Sequence, residues 1–161
     1  MLTLFDYHSS GNGYKARLLL NFLRRPFRYV EVDILKGESR TEAFLARNPN
    51  GRIPVLQIGE GEHLVESNAI MYWIAEGSAY WPDDRLERAR VLSWMFFEQY
   101  SHEPNIATSR FILKYRDIDA DTEKLLAQKK ELGHAALAGM ERHLTHREWF
   151  VGDGPTAAVV A

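Results

Sequence analysis

Apolar and polar positions change their spacing several times within the first half of the chain. Short apolar or alternating runs rich in β-branched and aromatic residues predict strands, whereas apolar residues three and four positions apart predict helices. We predict strands over residues 2–5, 27–33, 52–59 and 63–66, and helices over residues 14–23, 42–47 and 67–77. Strands that alternate with helices in this order indicate a partly parallel sheet covered by helices, which is an α/β arrangement.

The second half of the chain has a different pattern. Residues 84–116 and 119–146 are dense in Ala, Leu, Glu, Arg and Lys and nearly free of glycine and proline. Both segments are predicted to form long helices, because these residue types favour helix. Residues 78–83, SAYWPD, form a linker between the two halves. The chain is therefore predicted to contain an α/β domain over residues 1–78 and an all-α domain over residues 84–161.

Composition and charge exclude several classes of structure and function. The 161 residues are 45% hydrophobic, which supports a packed core, and their net charge of -2 provides no positive field for nucleic acid. No cysteine is present, so disulfides and thiolate ligands are excluded. The N-terminus, MLTLFDYH, lacks the features of a secretory signal, and no apolar run approaches the length of a membrane span. We expect a soluble cytoplasmic protein without nucleic-acid or membrane partners.

The histidines do not indicate a metal site. They are scattered along the chain at His8, His63, His102, His134, His143 and His146. No pair among them has a third ligand at a typical metal-binding spacing, so we predict no bound metal. His143 and His146 are predicted to lie at the surface near a helix end.

Three stretches carry a resemblance when they are taken together: SSGNGYKARLLL (9–20), NPNGRIPVL (48–56) and ESNAIMYWIAE (66–76). Their order and spacing resemble a glutathione S-transferase of the bacterial type, and the match covers essentially the whole chain. The resemblance implies a thioredoxin-like N-terminal domain followed by a helical C-terminal domain. It also implies glutathione as co-substrate.

The second stretch places a proline inside a predicted strand, where it removes a donor from the ladder. The alternative is a proline on a sheet edge, but the resemblance implies a cis bond between Ile53 and Pro54. The main chain of Ile53 would then pair with glutathione as an added strand does. Arg52 would pair with the glycine carboxylate of glutathione, and Lys36 and Arg40 are alternative cations.

The third stretch begins a helix. A serine at a helix start is most often an ordinary cap, but free N–H groups and the helix dipole also make that position an anion site. The resemblance assigns the hydroxyl and N–H of Ser67 to the γ-glutamyl carboxylate. Glu66 would lie near the ammonium group of the same γ-glutamyl unit.

The first stretch occupies the position where redox proteins of the thioredoxin fold carry cysteines, so here the thiol must come from the ligand. Ser10 and Asn12 match the Ser or Thr and Asn that some bacterial relatives place near the glutathione thiol, and they are our candidates for stabilising the thiolate. Tyr7 and Ser9 are alternatives, since other classes use a residue nearer the strand. A plain helix cap at Ser10 is the structural alternative.

The second domain is expected to line the pocket that binds a hydrophobic electrophile. Candidate contacts there are Trp94, Phe97, Tyr100 and Arg110. Thr156 matches the first residue of the capping box that begins a buried helix in this family, but Val159 stands where an Asp is expected. We expect the domain to be truncated relative to the family, with apolar surface exposed on residues 84–146.

The resemblance implies a glutathione transferase acting in detoxification. Glutathione would attack a hydrophobic electrophile, or reduce a disulfide or peroxide. The alternative is a non-catalytic binding or regulatory module of the same fold. A homodimer is expected if the second domain is sufficiently intact.

Overall fold

A computed structural model describes the whole chain, residues 1–161. Its contacts divide the chain into two compact units, Met1–Trp81 with Val160–Ala161, and Pro82–Val159. The first unit contains the sheet and the second is helical. This confirms the predicted fold class, a thioredoxin-like α/β domain followed by an all-α domain.

The first unit follows the predicted order of strands and helices. Its elements are β1 (Leu2–Asp6), α1 (Gly11–Phe22), β2 (Phe27–Glu31), α2 (Glu42–Leu45), β3 (Val55–Ile58), β4 (Glu62–Val65) and α3 (Ser67–Ala75). Helix α1 begins three residues earlier than predicted, because Ser10 caps it. Strand β3 is shorter than predicted and begins after Pro54, which has no N–H to give to the ladder.

The four strands lie in the order β2-β1-β3-β4. Strand β1 is parallel to β2 and antiparallel to β3, and β3 and β4 form an antiparallel hairpin. The parallel pairing ends where Asp6 lies opposite Glu31. Two acidic residues therefore meet at the end of the central strand, next to the loop that leads into α1.

The sheet buries apolar side chains on both faces. On one face, Phe5 and Val55 are cross-strand partners and form a core cluster with Val32 and Phe44. Successive strand residues point to opposite faces, so Leu4 and Asp6 lie on the other side of β1. That second face is the one covered by α1, which packs against α3.

The second unit contains helices α4 (Arg85–Phe97), α5 (Glu103–Tyr115) and α6 (Ala120–Leu144), and all of α7 (Ala157–Val160) except its last residue. The predicted long helix over residues 84–116 is observed as an unbroken helical segment, residues 85–115, in which a π-helical turn over Glu98–His102 separates α4 from α5. Pro104 explains the π-helical turn: it lies in the first turn of α5, has no N–H, and its ring would clash with a carbonyl one turn earlier. The predicted helix over residues 119–146 is observed as α6.

His143 is not the surface residue that the sequence predicted. Its ring lies 4.8 Å from the ring of Trp94, centroid to centroid, and its Nε2 is 2.9 Å from the carbonyl oxygen of Phe150. Phe150 also contacts Trp94, at 4.5 Å. The rings of Trp94, His143 and Phe150 thus pack the end of α6 against α4, and His143 has a packing role.

Apolar side chains are exposed on α5 and α6, as expected for residues 84–146. Leu113 is 65% exposed and Leu132 is 49% exposed. A cavity of about 750 Å³ lies between these two helices.

None of the helices combines the length and the apolar composition that a membrane-spanning segment requires.

Candidate functional site

Ser10 lies at the N-terminal cap of α1. Its Oγ accepts a hydrogen bond from the backbone N–H of Gly13 at 3.2 Å, and its carbonyl accepts the first helical bond from Tyr14. A serine hydroxyl that accepts one bond still carries a hydrogen to donate. Ser10 is therefore both the structural cap and a side chain able to give a hydrogen bond to an anion at the helix start.

Asn12 and Ser67 join the first and third motifs. The hydroxyl of Ser67, at the start of α3, donates to Oδ1 of Asn12 at 3.1 Å, across 55 residues of sequence. Because Oδ1 accepts this bond, the NH2 group of Asn12 is the donor end of its amide. The contact brings the two helix N-termini that the sequence singled out into one place.

Glu66 has an unusual backbone conformation immediately before α3. Its φ is +67° and its ψ is 116°, in a region that non-glycine residues rarely adopt. Its side chain makes no capping bond and is exposed, whereas that of Ser67 is buried. Strained backbone of this kind clusters at binding sites, where the surrounding structure holds it in place.

The bond between Ile53 and Pro54 is cis, which confirms that prediction. Pro54 is buried and Ile53 packs against the core cluster of the sheet. The turn that leads into this bond is held by Asn48, whose side-chain amide donates to the carbonyl of Arg52 at 2.8 Å. The main chain of residues 52–54 is thus held at the start of β3.

The three candidate cations have different surroundings. Arg52 is exposed beside the cis bond. Arg40 donates to the carbonyl of Asn50 at 3.0 Å and so holds the preceding turn. Lys36 pairs with Asp33 at 3.1 Å, and this pairing raises the pKa of the lysine. Of the three, Arg52 is the cation nearest in sequence to the main chain of Ile53.

The other candidates remain predictions. The carbonyl of Tyr7 accepts the N–H of Ser10 at 2.8 Å, so Tyr7 and Ser9 form the turn between β1 and α1. In the helical unit, the Trp94 ring contacts Phe97 at 5.3 Å. Tyr100 is almost fully exposed.

Asp6 is the residue at this site that sequence reasoning missed. Its side chain is fully buried at the end of β1, and its Oδ1 lies 1.7 Å from where a Cβ on Gly13 would be. Only glycine leaves room for this carboxylate under the first turn of α1. The sequence does contain a signal for this buried carboxylate: an acidic residue ends an apolar strand and is followed by a glycine-rich helix start.

Arg17 is the counterion of Asp6. Its Nε lies 3.2 Å from Oδ2 of Asp6, and its Nη2 donates to the carbonyl of His8 at 2.7 Å. Burial raises the pKa of Asp6 to about 7, against the opposing effect of the Arg17 charge. The Glu31 carboxylate contributes to this rise. Asp6 therefore titrates near neutrality, directly behind the loop that carries Ser10 and Asn12.

Comparisons with known proteins agree with this geometry. Residues 1–76 match the family model described as glutathione S-transferase, N-terminal domain. The structure superposes on a glutathione S-transferase from Pseudomonas fluorescens with a TM-score of 0.95 and 43% identity, covering 99% of this chain and 79% of that one. It also superposes on the glutathione transferase URE2P8 from Phanerochaete chrysosporium, solved with oxidized glutathione, with a TM-score of 0.89, 25% identity and coverage of 99% and 74%.

Curated relatives include enzymes and proteins without an enzyme name. A maleylacetoacetate isomerase from Rhizobium meliloti is 32% identical over 96% of this chain and 75% of its own length. A protein named URE2 from Debaryomyces hansenii is 28% identical over 97% of this chain, which spans 63% of that relative's length. The sequence motifs, the thioredoxin-like sheet unit with its helical partner, and these matches lead to one assignment: the chain belongs to the glutathione S-transferase family.

Proposed function

We propose that this protein is a glutathione transferase that binds glutathione on its first unit and activates its thiol. The reaction is attack of the thiolate on a hydrophobic electrophile, or reduction of a disulfide or peroxide. The observation that carries the proposal is the hydrogen bond from Ser67 to Asn12. It joins an anion site at the start of α3 to a candidate thiol site at the start of α1, and one ligand with both groups can span the two.

The thiol end is assigned to Ser10 and Asn12. A free thiol has a pKa of about 8.5, so only a small fraction is thiolate at neutral pH. The Ser10 hydroxyl and the Asn12 amide are donors, and hydrogen bonds to a charged form lower its pKa. The N-terminal end of α1 adds the positive end of the helix dipole. We assign the rate gain to thiolate stabilisation and to holding the sulfur in place.

The peptide end is assigned to the other two motifs. The backbone N–H groups at the start of α3, with Ser67, receive the γ-glutamyl carboxylate, as helix N-termini do for anions. The Glu66 carboxylate receives the ammonium group. The main chain of Ile53, before Pro54, pairs with the glutathione backbone, and Arg52 receives the glycine carboxylate.

A second candidate is a glutathione-binding module without transferase activity. The specific observation behind it is that relatives matching 97% of this chain carry the name URE2, which describes no reaction. Both candidates use the same glutathione site. They differ in whether an electrophile reacts faster with bound glutathione than with free thiolate.

Retention on immobilised glutathione tests the shared site. We expect the wild-type protein to be retained and eluted by free glutathione, and the Ser67→Ala variant to be retained weakly. Ser93→Ala, an exposed serine on α4, is the matched control and should behave as wild type. Failure of the wild-type protein to bind overturns both candidates.

Initial rates then separate the two candidates. A small set of probes suffices: an activated aryl halide, an organic hydroperoxide and a mixed disulfide. A transferase accelerates at least one of them beyond the rate of the same concentration of free glutathione thiolate. A protein that binds glutathione and accelerates none of the three is the binding module.

The proposal extends to cellular context and assembly. We place the protein in the cytoplasm, where reduced glutathione is available as a co-substrate, with a role in detoxification. We also propose a homodimer, which sedimentation of the purified chain tests directly. A monomer at all concentrations would contradict the homodimer without affecting the assignment of the glutathione site.

A further inference from the structure

Asp6 is a charged group that the proposed chemistry does not use. Its carboxylate is fully buried on the face of the sheet that α1 covers, and it fills the space beside Gly13. A buried charge is costly unless it is paired. Its position directly under the first turn of α1 therefore needs an explanation beyond packing.

The carboxylate is close to the proposed thiol site. Oδ1 lies 1.7 Å from the Cβ position of Gly13, and the N–H of the same glycine is 3.2 Å from Oγ of Ser10. With standard bond lengths at the Gly13 Cα, Oδ1 of Asp6 is no more than about 8 Å from Oγ of Ser10. The first turn of α1 lies between them and Asp6 is fully buried, so the Asp6 charge acts on this position through protein.

The charged and titratable groups around Asp6 include side chains of α1 and β2. Arg17 on α1 forms the ion pair, and its guanidinium also lies 5.5 Å from the ring centroids of Tyr14 and Tyr29. Glu31 on β2 accepts a hydrogen bond from the backbone N–H of His8 and one from the Tyr29 hydroxyl. Arg17 is the cation that pairs with Asp6, and Glu31 is the second anion.

We propose that the Asp6–Arg17 ion pair sets the ionisation of the glutathione thiol held by Ser10 and Asn12. The inference rests on the proposed function. Asp6 and Arg17 are not catalytic residues in this proposal: they act on the sulfur through the electrostatic potential that their charges produce there. A negative Asp6 opposes a thiolate, and the positive Arg17 favours one.

The two charges act in opposite directions, and this separates an electrostatic role from a packing role. Asp6→Asn keeps the shape and removes the negative charge, which leaves Arg17 uncompensated. The pKa of the bound thiol should fall by about one unit, a tenfold gain in the ratio of thiolate to thiol at a given pH. Adding Arg17→Met to Asp6→Asn removes the positive charge where no carboxyl can titrate in response, and it should reverse the fall in thiol pKa. Arg17→Lys alone should keep the thiol pKa near the wild-type value.

Wild-type protein gives a second test that needs no variant. If the thiolate and Asp6 interact, the coupling is reciprocal. A bound thiolate then raises the pKa of Asp6 by as much as an ionised Asp6 raises the pKa of the thiol. Carbon NMR of the labelled Asp6 carboxyl, titrated with pH, should show a higher pKa with glutathione than with S-methylglutathione. The S-methyl ligand fills the same site and carries no ionisable sulfur.

The experiment is a pH titration of the ultraviolet absorbance of bound glutathione thiolate in wild type, Asp6→Asn, the double variant Asp6→Asn with Arg17→Met, and Arg17→Lys. A lower thiol pKa in Asp6→Asn that the added Arg17→Met reverses, with Arg17→Lys close to wild type, supports the inference. No shift in Asp6→Asn, or a shift that Arg17→Met does not reverse, overturns it, as does an Asp6 pKa that is the same with both ligands. A wild-type protein that leaves the thiol pKa unperturbed overturns the proposed function instead.

Discussion

Ser67 at the start of α3 donates a hydrogen bond to Asn12 in the first turn of α1, at 3.1 Å. The two residues lie 55 positions apart, and each lies in the first turn of a helix whose N-terminus belongs to the proposed glutathione site. The bond is partly buried, so it also links the two helices that cover one face of the sheet. Stability and ligand binding are therefore coupled at the same pair of side chains.

The first prediction concerns this pair. Ser67→Ala and Asn12→Ala should each lower the free energy of unfolding by about 1 kcal/mol, the usual net value of one hydrogen bond. The double variant should lose clearly less than the sum, because both changes remove the same bond. Urea unfolding of the four proteins measures the coupling. Strict additivity would show that the bond contributes nothing.

The second prediction concerns Gly13. A Cβ there would overlap the Asp6 carboxylate, so Gly13→Ala should cost about 3 kcal/mol of stability. Gly11→Ala is the matched control in the same turn: nothing lies within 4 Å of its Cβ position, and alanine favours helix, so stability should hold or rise.

Adding Asp6→Ala to the Gly13→Ala variant should restore part of the stability that Gly13→Ala loses. With the carboxylate removed, the added methyl group has space, and the double variant should unfold at a higher urea concentration than Gly13→Ala alone. A double variant as unstable as the sum of the two changes would show that Gly13 is needed for another reason.

The third prediction concerns pH. The pKa of Asp6 is raised to about 7 in the folded protein from 3.8, so between these values the native state holds a proton that the unfolded state has lost. The Asp6 contribution to stability is therefore fully present below about pH 4 and is lost as pH rises to about 7. Its full size is a few kcal/mol, on the order of 1.4 kcal/mol per pKa unit.

The measurement is urea unfolding at pH 5, 6, 7 and 8 in wild type and Asp6→Asn. The variant carries no titrating group at this position, so its stability relative to wild type should increase with pH over this window. A difference that stays constant with pH would show that Asp6 does not titrate there.

The fourth prediction concerns Glu66. Glu66→Gln should weaken binding of glutathione about 2- to 5-fold, because it removes the charge that we assign to the ammonium group and an exposed ion pair contributes up to about 1 kcal/mol. Binding of a glutathione analogue that lacks this amino group should be unchanged. Glu62→Gln, an exposed carboxylate on β4, is the control for a general charge effect. Calorimetric titration measures all of these affinities, and equal losses for both ligands would place the ammonium elsewhere.

The order of strands and helices was predictable because hydrophobic periodicity reports it directly. The cis bond before Pro54 was predictable only from the family resemblance. The π-helical turn before α5 was not predicted, because residue composition and apolar spacing favour helix over this segment and do not report the hydrogen bond that Pro104 removes. The packing of His143 was missed because a histidine at a helix end is usually exposed.

The candidate site was only partly visible in the sequence. Ser10, Asn12 and Ser67 lie in recognisable motifs, but their mutual contact is a tertiary feature that spacing along the chain does not encode. Asp6 was missed for a different reason: a charged residue after an apolar strand normally marks the surface. Here the absence of a side chain at Gly13 allows the carboxylate to be buried.

The central claim is that Ser10 and Asn12 stabilise the glutathione thiolate. The most direct measurement is the pKa of the thiol of protein-bound glutathione, followed by thiolate absorbance, in wild type, Ser10→Ala and Asn12→Ala. We predict a wild-type value at least one unit below the roughly 8.5 of a free thiol, and a shift back towards that value in one or both variants. A thiol pKa that neither variant changes would contradict the account.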